Sequence, residues 1–313
     1  MCSLPSATFA LPQELVDIIV PIVADHSSLK ACCLVSRSFC APAQRRLFAS
    51  LELLPSSMAW QEDYLALASL DALQTQSPQI SGYVRRLTID LRGPWLADDA
   101  FSRVLRRFDR LTTLVLDSEL HSIRRLRQPL EWMLLPLPAQ AALRHIMAQP
   151  TLTSLTLRGI QFAVFSELRD AFEGRTQLRQ LLVDNVSLSK LQDDSDPGSN
   201  TAGTLLLDSL SIFTEAASFI RHLPTLLHIP ALRGMELLLP SKECEDAAGF
   251  ACDARALRTL TIDLQHQDTL PWTTSGCSTP SRSASTCPLP PKMRARPAGT
   301  QDGWTRGRPQ QRP

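Results

Sequence analysis

Apolar residues recur along this chain in two rhythms, and the change of rhythm divides it. Near the N-terminus Leu11, Leu15, Ile18, Ile19, Ile22 and Val23 fall at i, i+4, i+7, i+8, i+11 and i+12, which paints one apolar stripe on a helix. Pro12 suits the first helical position, where a missing N–H costs nothing, and Glu14 lies in the first turn, where the dipole favours an anion. Pro21 interrupts the pattern, so a helix is predicted to stop near Val20 or to kink there. After the polar break Asp25-His26-Ser27-Ser28, with Ser27 or Ser28 as N-cap, a second helix is predicted from Leu29 to Phe39. Leu29, Cys32, Cys33 and Phe39 form its apolar side, with Leu34 and Val35 on adjoining faces. A third short helix is expected from about Pro42 to Phe48.

Beyond this unit, Leu51 to Leu54 reads as a short strand. A helix is expected from about Met58 to Leu73, with Trp60, Tyr64, Leu67, Ala68 and Leu73 roughly on one side. Ser77-Pro78 ends it, because the residue before proline avoids the helical region. Then a second rhythm begins, apolar-x-x-apolar-x-apolar. It appears at Val84, Leu87, Ile89; Leu111, Leu114, Leu116; Leu152, Leu155, Leu157; and Leu178, Leu181, Val183. It returns at Leu207, Leu210, Ile212; Leu232, Met235, Leu237; and Leu257, Leu260, Ile262. Successive central residues are 27, 41, 26, 29, 25 and 25 apart, a spacing that marks internal repeats. The long interval contains Pro129, Pro136, Pro138 and Pro150 and reads as an insertion.

Helical stripes lie between the strands. Phe101, Val104, Leu105 and Phe108 make one; Leu143, Ile146 and Met147 another; Val164, Phe165, Leu168 and Phe172 a third. Phe219, Ile220 and Leu223 make a weaker fourth behind a Thr214 N-cap. A strand and a helix in each unit, with one apolar face buried only against a neighbour, predict a stacked, curved array on the leucine-rich-repeat plan.

Two short runs carry a family resemblance. Leu11-Pro12-x-Glu14-Leu15, followed by Leu29-x-x-Cys32-x-Leu34-Val35-Ser36-Arg37-x-Phe39, resembles an F-box in its fungal F-box-like form, over about forty residues with order and spacing intact. The stretch Ile80 to Ile89 is similar to the entry into the repeats of such proteins. The repeats depart from the regular leucine-rich pattern. The asparagine that usually follows the strand is absent from most repeats, and Arg92, Ile160 and Val186 stand at candidate positions, so the repeats are degenerate.

The expected fold is therefore α+β overall: an all-α three-helix F-box-like module at 9–50, a helical linker at 51–82, an α/β leucine-rich-repeat-like solenoid at 83–268 and a disordered Pro/Arg/Ser-rich tail at 269–313. The resemblance implies a non-catalytic substrate receptor of an SCF-type cullin ubiquitin ligase. Leu11, Pro12, Leu15, Ile18, Leu34, Val35 and Phe39 would dock on the Skp adaptor or pack the module core, and the repeats would bind a protein substrate whose identity the sequence does not encode. The alternative is a leucine-rich-repeat interaction scaffold without ligase function.

Composition narrows this picture in a few places. Net charge is +1 over 313 residues, which gives no electrostatic case for specific nucleic-acid or membrane binding. Arg85-Arg86, Arg106-Arg107 and Arg124-Arg125 lack interleaved exposed aromatics and read as solvated faces. From Thr273 onward seven basic residues face one acid, Asp302, so the preceding chain is mildly acidic. Cys32, Cys33 and Cys40 read as small buried hydrophobes, while Cys244, Cys252, Cys277 and Cys287 lack metal-ligand spacing. No metal or cofactor is expected, and a reducing, intracellular location, cytoplasmic or nuclear, is. No Lys or Arg precedes Lys30 to open a signal peptide, and no apolar run approaches the ~20 residues of a membrane span.

The segment Gln192 to Thr204 is acidic and turn-rich but lacks the Glu that closes a calcium loop, so a solvated loop is expected. His145 and His222 fall within helical patterns rather than catalytic ones, and no nucleophile elbow, zinc-protease or phosphate-loop motif occurs. A stacked array needs a cap over its last apolar face. The abrupt change after Ile262-Asp263-Leu264 predicts an array cut short there, or a tail foreign to the natural product.

Overall fold

A computed structural model describes residues 11–55, 60–119, 129–172, 177–189, 205–213, 231–240, 254 and 256–265. The predicted fourth stripe at Phe219–Leu223, the acidic loop, Arg124-Arg125, the four later cysteines and the tail lie outside the described residues.

The N-terminal unit has three helices, α1 (Gln13–Ile22), α2 (His26–Val35) and α3 (Arg37–Leu47), with α1 and α2 both packed on α3. Pro12 is the N-cap of α1 rather than its first residue, and its carbonyl accepts the N–H groups of Leu15 and Val16 at 3.1 and 3.3 Å. Pro21 lies inside this helix, which ends at Ile22, two residues past the Val20 stop that is one of the two outcomes expected from the sequence. It sits one residue from the C-terminus, where its ring forfeits a single i→i−4 bond, and the Val23 N–H closes on the Val20 carbonyl at 3.2 Å.

The α2 cap is Asp25, not a serine. Its carboxylate accepts the Ser28 N–H at 2.7 Å and the Ser27 hydroxyl at 2.6 Å, so one anion meets both donors at the positive end of the helix. The helix predicted to run through Phe39 breaks at Ser36, whose extended backbone ends α2 and opens α3. The Ser36 carbonyl takes the N–H groups of Phe39 and Cys40, so Phe39 belongs to α3 and Pro42 lies inside that helix rather than at its start.

The chain then enters a parallel sheet. Strands β1 (Ser50–Leu53), β2 (Arg86–Asp90) and β3 (Thr113–Asp117) pair in order. The short strand β4 (Leu130–Glu131) comes before β5 (Ser154–Arg158), β6 (Ile160–Phe162), β7 (Gln180–Asp184) and the short β8 (Ser187–Leu188). The last three are β9 (Ser209–Phe213), β10 (Gly234–Pro240) and β11 (Thr259–Gln265). The long sheet runs β1-β2-β3-β5-β7-β9-β10-β11 and the short one β4-β6-β8, every pair parallel. Each long strand therefore lies beside the next one in sequence, with no strand returning between earlier ones.

The register follows the second rhythm of the sequence. Leu87, Leu114, Leu155, Leu181, Leu210, Met235 and Leu260 align across the sheet, as do Ile89, Leu116, Leu157, Val183, Ile212, Leu237 and Ile262. These rows face a core shared with helices α4 (Trp60–Gln76), α5 (Asp99–Arg106), α6 (Leu137–Met147) and α7 (Phe165–Phe172), which pack side by side. Phe101, Val104, Leu105 and Phe108, the stripe read from the sequence, are fully buried. Trp132 stacks on Phe162 with ring centroids 5.6 Å apart, tying the insertion to the short sheet.

Two expectations are corrected here. The sheet begins at Ser50, so the segment expected as a linker supplies the first strand, paired Ser50 to Arg86. On α4 the face turned to the core is Asp63, Leu67, Leu70 and Gln74, while Tyr64 and Ala68 are exposed. Tyr64 instead donates its hydroxyl to the Pro94 carbonyl at 3.0 Å.

Candidate functional site

The three-helix unit has more apolar positions than its own core uses. Val16 and Val20, one turn apart on α1, meet Leu29 and Ala43 in a small core of their own. Val23, Cys32, Cys33, Phe39 and Leu47 pack around it half-buried. Ala43 lets the helices approach closely, and a core this small fills after two side chains from α1.

The remaining large aliphatics face outward. Leu11, Leu15, Ile18, Ile19 and Ile22 are exposed along and just ahead of α1, Ile22 by 75%. At the end of α2, Leu34 and Val35 are exposed by 88% and 72%. The predicted stripe thus faces solvent from Leu11 to Ile22, its last member Val23 packs on the core, and Val16 and Val20, outside the stripe, turn inward. Single exposed leucines are ordinary, but seven large aliphatics open within 25 residues mark a surface that excludes water only when covered. Covering one such side chain is worth about 1.5–3 kcal/mol.

Of the residues expected at the docking site, Leu11, Pro12, Leu15, Ile18, Leu34 and Val35 are exposed, and Phe39 is half-buried against the module core. Ile19 and Ile22 extend the exposed stripe. The polar surroundings are modest. Gln13 donates to Asp17 at 2.9 Å on the outer side of α1. The Ser27 hydroxyl and then the Ser28 N–H hold the Asp25 carboxyl down to about 2, so the cap is charged at any physiological pH. Burial pushes the Cys33 thiol up, with neighbouring Cys40 and Cys32 adding to it. These three cysteines are free thiols.

A second surface is the open face of the long sheet. Between the buried rows stand Glu52, Thr88, Val115, Thr156, Leu182, Ser211, Glu236 and Thr261, one per strand and in register, exposed or half-buried except for the buried Val115. Ser211 donates to Glu236 at 3.3 Å. This row is polar and hydroxyl-rich, suited to hydrogen bonding an extended or irregular surface rather than to enclosing a small apolar molecule.

The sequence reading missed how the strand ends are tied. Where asparagine was looked for after the strand, aspartates at the last strand position take over. Asp90 accepts the Arg92 N–H at 2.8 Å and Asp117 the Glu119 N–H at 2.7 Å. In the same row Arg158 replaces the acid and stands 3.6 Å from both Asp117 and Asp184. The signal was present as Asp90, Asp117, Asp184 and Asp263 directly after four of the triplets.

Among the described residues there is no group of three or more His, Cys, Asp or Glu arranged to hold a metal ion. Among them, too, no helix is long and apolar enough to cross a membrane. No family model matches the chain, and no curated protein matches it.

Proposed function

We propose that this chain is a substrate receptor of an SCF-type cullin ubiquitin ligase. In this reading α1–α3 form an F-box-like module that docks on the Skp adaptor, and the parallel strands and their helices form a degenerate leucine-rich-repeat-like solenoid that binds a protein substrate. The observation that carries it is the outward-turned stripe of α1 with Leu34 and Val35, because Leu11, Leu15, Leu34 and Val35 belong to the F-box-like pattern and the unit's own core leaves them open. A docking module is built this way, with a small inner core and its larger aliphatics spent on a partner.

The chain then contributes proximity, not chemistry. Holding a substrate on the open sheet face while the module is docked raises the concentration of substrate lysines near the activated ubiquitin. Co-purification of the full chain with a recombinant Skp adaptor tests the reading. Capture is expected from the native chain and lost in Leu15→Asp/Leu34→Asp. Absence of capture, where a known F-box protein is retained under the same conditions, leaves the interaction scaffold as the better reading.

A further inference from the structure

The junction between the three-helix unit and the first strands of the sheet holds an open cavity of about 670 Å³. Its walls come from the end of α3, the 3₁₀ turn Pro78–Tyr83, the start of β2 and the connection from α5 to β3. Four arginines line it, Arg45, Arg85, Arg107 and Arg110, against one carboxylate, Asp109.

The arginines are not equivalent. Arg107 is neutralised, its Nη1 lying 2.7 Å from Asp71. Arg45, Arg85 and Arg110 make no ion pair among the described residues. Neutral groups hold two of them in place. Arg85 donates from Nη1 to the Arg110 carbonyl at 2.9 Å, and the Arg45 guanidinium lies over the Tyr83 ring, 5.9 Å from its centre. Three guanidiniums line one open cavity with a single carboxylate among them, and the positive potential there favours an entering anion.

We propose that this cavity binds a small soluble phosphate ester, its phosphate gripped by Arg45, Arg85 and Arg110. Guanidinium forks match phosphate oxygens in pairs, and five donors on each leave Arg85 free to bind after its bond to the Arg110 carbonyl is made. The volume is that of a small-molecule site, while the polar lining selects for charge rather than apolar shape. Because Arg45 stands on α3 and Arg85 and Arg110 flank the sheet, the bound anion ties the three-helix unit to the first strands. The proposal stands independently of the ligase reading.

Isothermal titration of the full chain tests it, with inorganic pyrophosphate and glucose 6-phosphate as probes and glucose as the neutral control, at matched ionic strength. Saturable binding of at least one anionic probe and none of glucose is expected. Arg85→Gln/Arg110→Gln should weaken it at least about tenfold, the loss that follows when charged donors to a phosphate are removed. Gly82→Asp supplies an independent arm. A Cβ at Gly82 meets nothing closer than Asp109 Oδ1 at 3.9 Å, so the backbone tolerates the change while a carboxylate enters the cavity. That variant should lose binding with its unfolding midpoint preserved. Failure of both anionic probes, equal binding of glucose, or full binding by Gly82→Asp overturns the proposal. Binding of a phosphoserine peptide without either small anion overturns it as well and assigns the cavity to a protein ligand.

Discussion

Asp117 closes strand β3 by accepting the backbone N–H of Glu119 at 2.7 Å, two residues further on, and it does so while almost wholly buried. Asp90, its neighbour across the sheet, repeats the bond on Arg92. A buried carboxylate that satisfies a turn N–H and lies near Arg158 is costly to remove, because the turn donor is then left dry. Asp117→Ala should destabilise the chain by about 1.5–3 kcal/mol, and Asp117→Asn by clearly less, since the amide oxygen still accepts the same bond. Urea unfolding of the three proteins checks this, and equal loss in both variants would show that charge, not the turn bond, is what matters.

Helix α4 is fastened to α5 by one carboxylate shared between two arginines. Asp71 receives Arg103 at 2.8 Å and Arg107 at 2.7 Å, and the Arg103 hydrogen bond is the main reason its carboxyl titrates below the ordinary range. A folded pKa below the unfolded one contributes stability that is present above the ordinary carboxylate range and is lost as pH falls through the folded value. Asp71→Asn should therefore cost about 1 kcal/mol at neutral pH, and the difference from the native chain should vanish towards acid. Thermal unfolding midpoints measured from neutral pH down to acid show whether the two curves converge.

The strands were legible because each triplet carries its own burial pattern, and parallel stacking adds no residue that the repeat does not already show. The row from Leu87 to Leu260 could be read from the chain before any contact was known. Strand β1 was legible as a strand but not as a member of the sheet. Phe48, Leu51 and Leu53 do match the triplet, but Phe48 reads equally as the end of the third helix, and the pairing of Ser50 with Arg86 bridges a long helix. The α2–α3 break was hidden for a different reason. Apolar spacing runs unbroken from Leu29 to Phe39, and only the extended backbone at Ser36 divides it. The α1 stripe was legible as apolar but not as exposed, because periodicity names a face without saying what faces it. That Val16 and Val20 turn inward depends on Ala43 of a later helix.

Gly159 follows β5 in the left-handed region at φ 62°, and Asn185 follows β7 at φ 48°, the same corner of the next unit. Asparagine is tolerated at such a φ, but glycine at 159 has a second reason, since a Cβ there would collide with the Ser118 hydroxyl and lie 2.6 Å from Glu119 Cγ. Gly159→Ala should cost about 1–3 kcal/mol, whereas Asn185→Gly relieves the backbone but loses the amide bond to Glu119 Oε1 and should cost about 1 kcal/mol or less. Chemical denaturation distinguishes them, and a neutral Gly159→Ala would mean that the corner relaxes.

Helix α1 carries its buried and its exposed aliphatics on different sides, so folding and the proposed docking can be tested separately. Val16 is fully buried, and Val16→Ala removes two methyl groups from a core of only a few side chains. It should destabilise the three-helix unit by about 2 kcal/mol, transfer and cavity together. Ile22 and Leu34 are open to solvent, so Ile22→Ser and Leu34→Ser should change stability by less than about 0.5 kcal/mol. Adaptor capture should follow the opposite order. The serine variants lose it while keeping the native circular dichroism and unfolding midpoint, and Val16→Ala retains it as long as the unit stays folded. Measuring both quantities on the same variants is decisive, because a purely structural stripe would make stability and capture fall together.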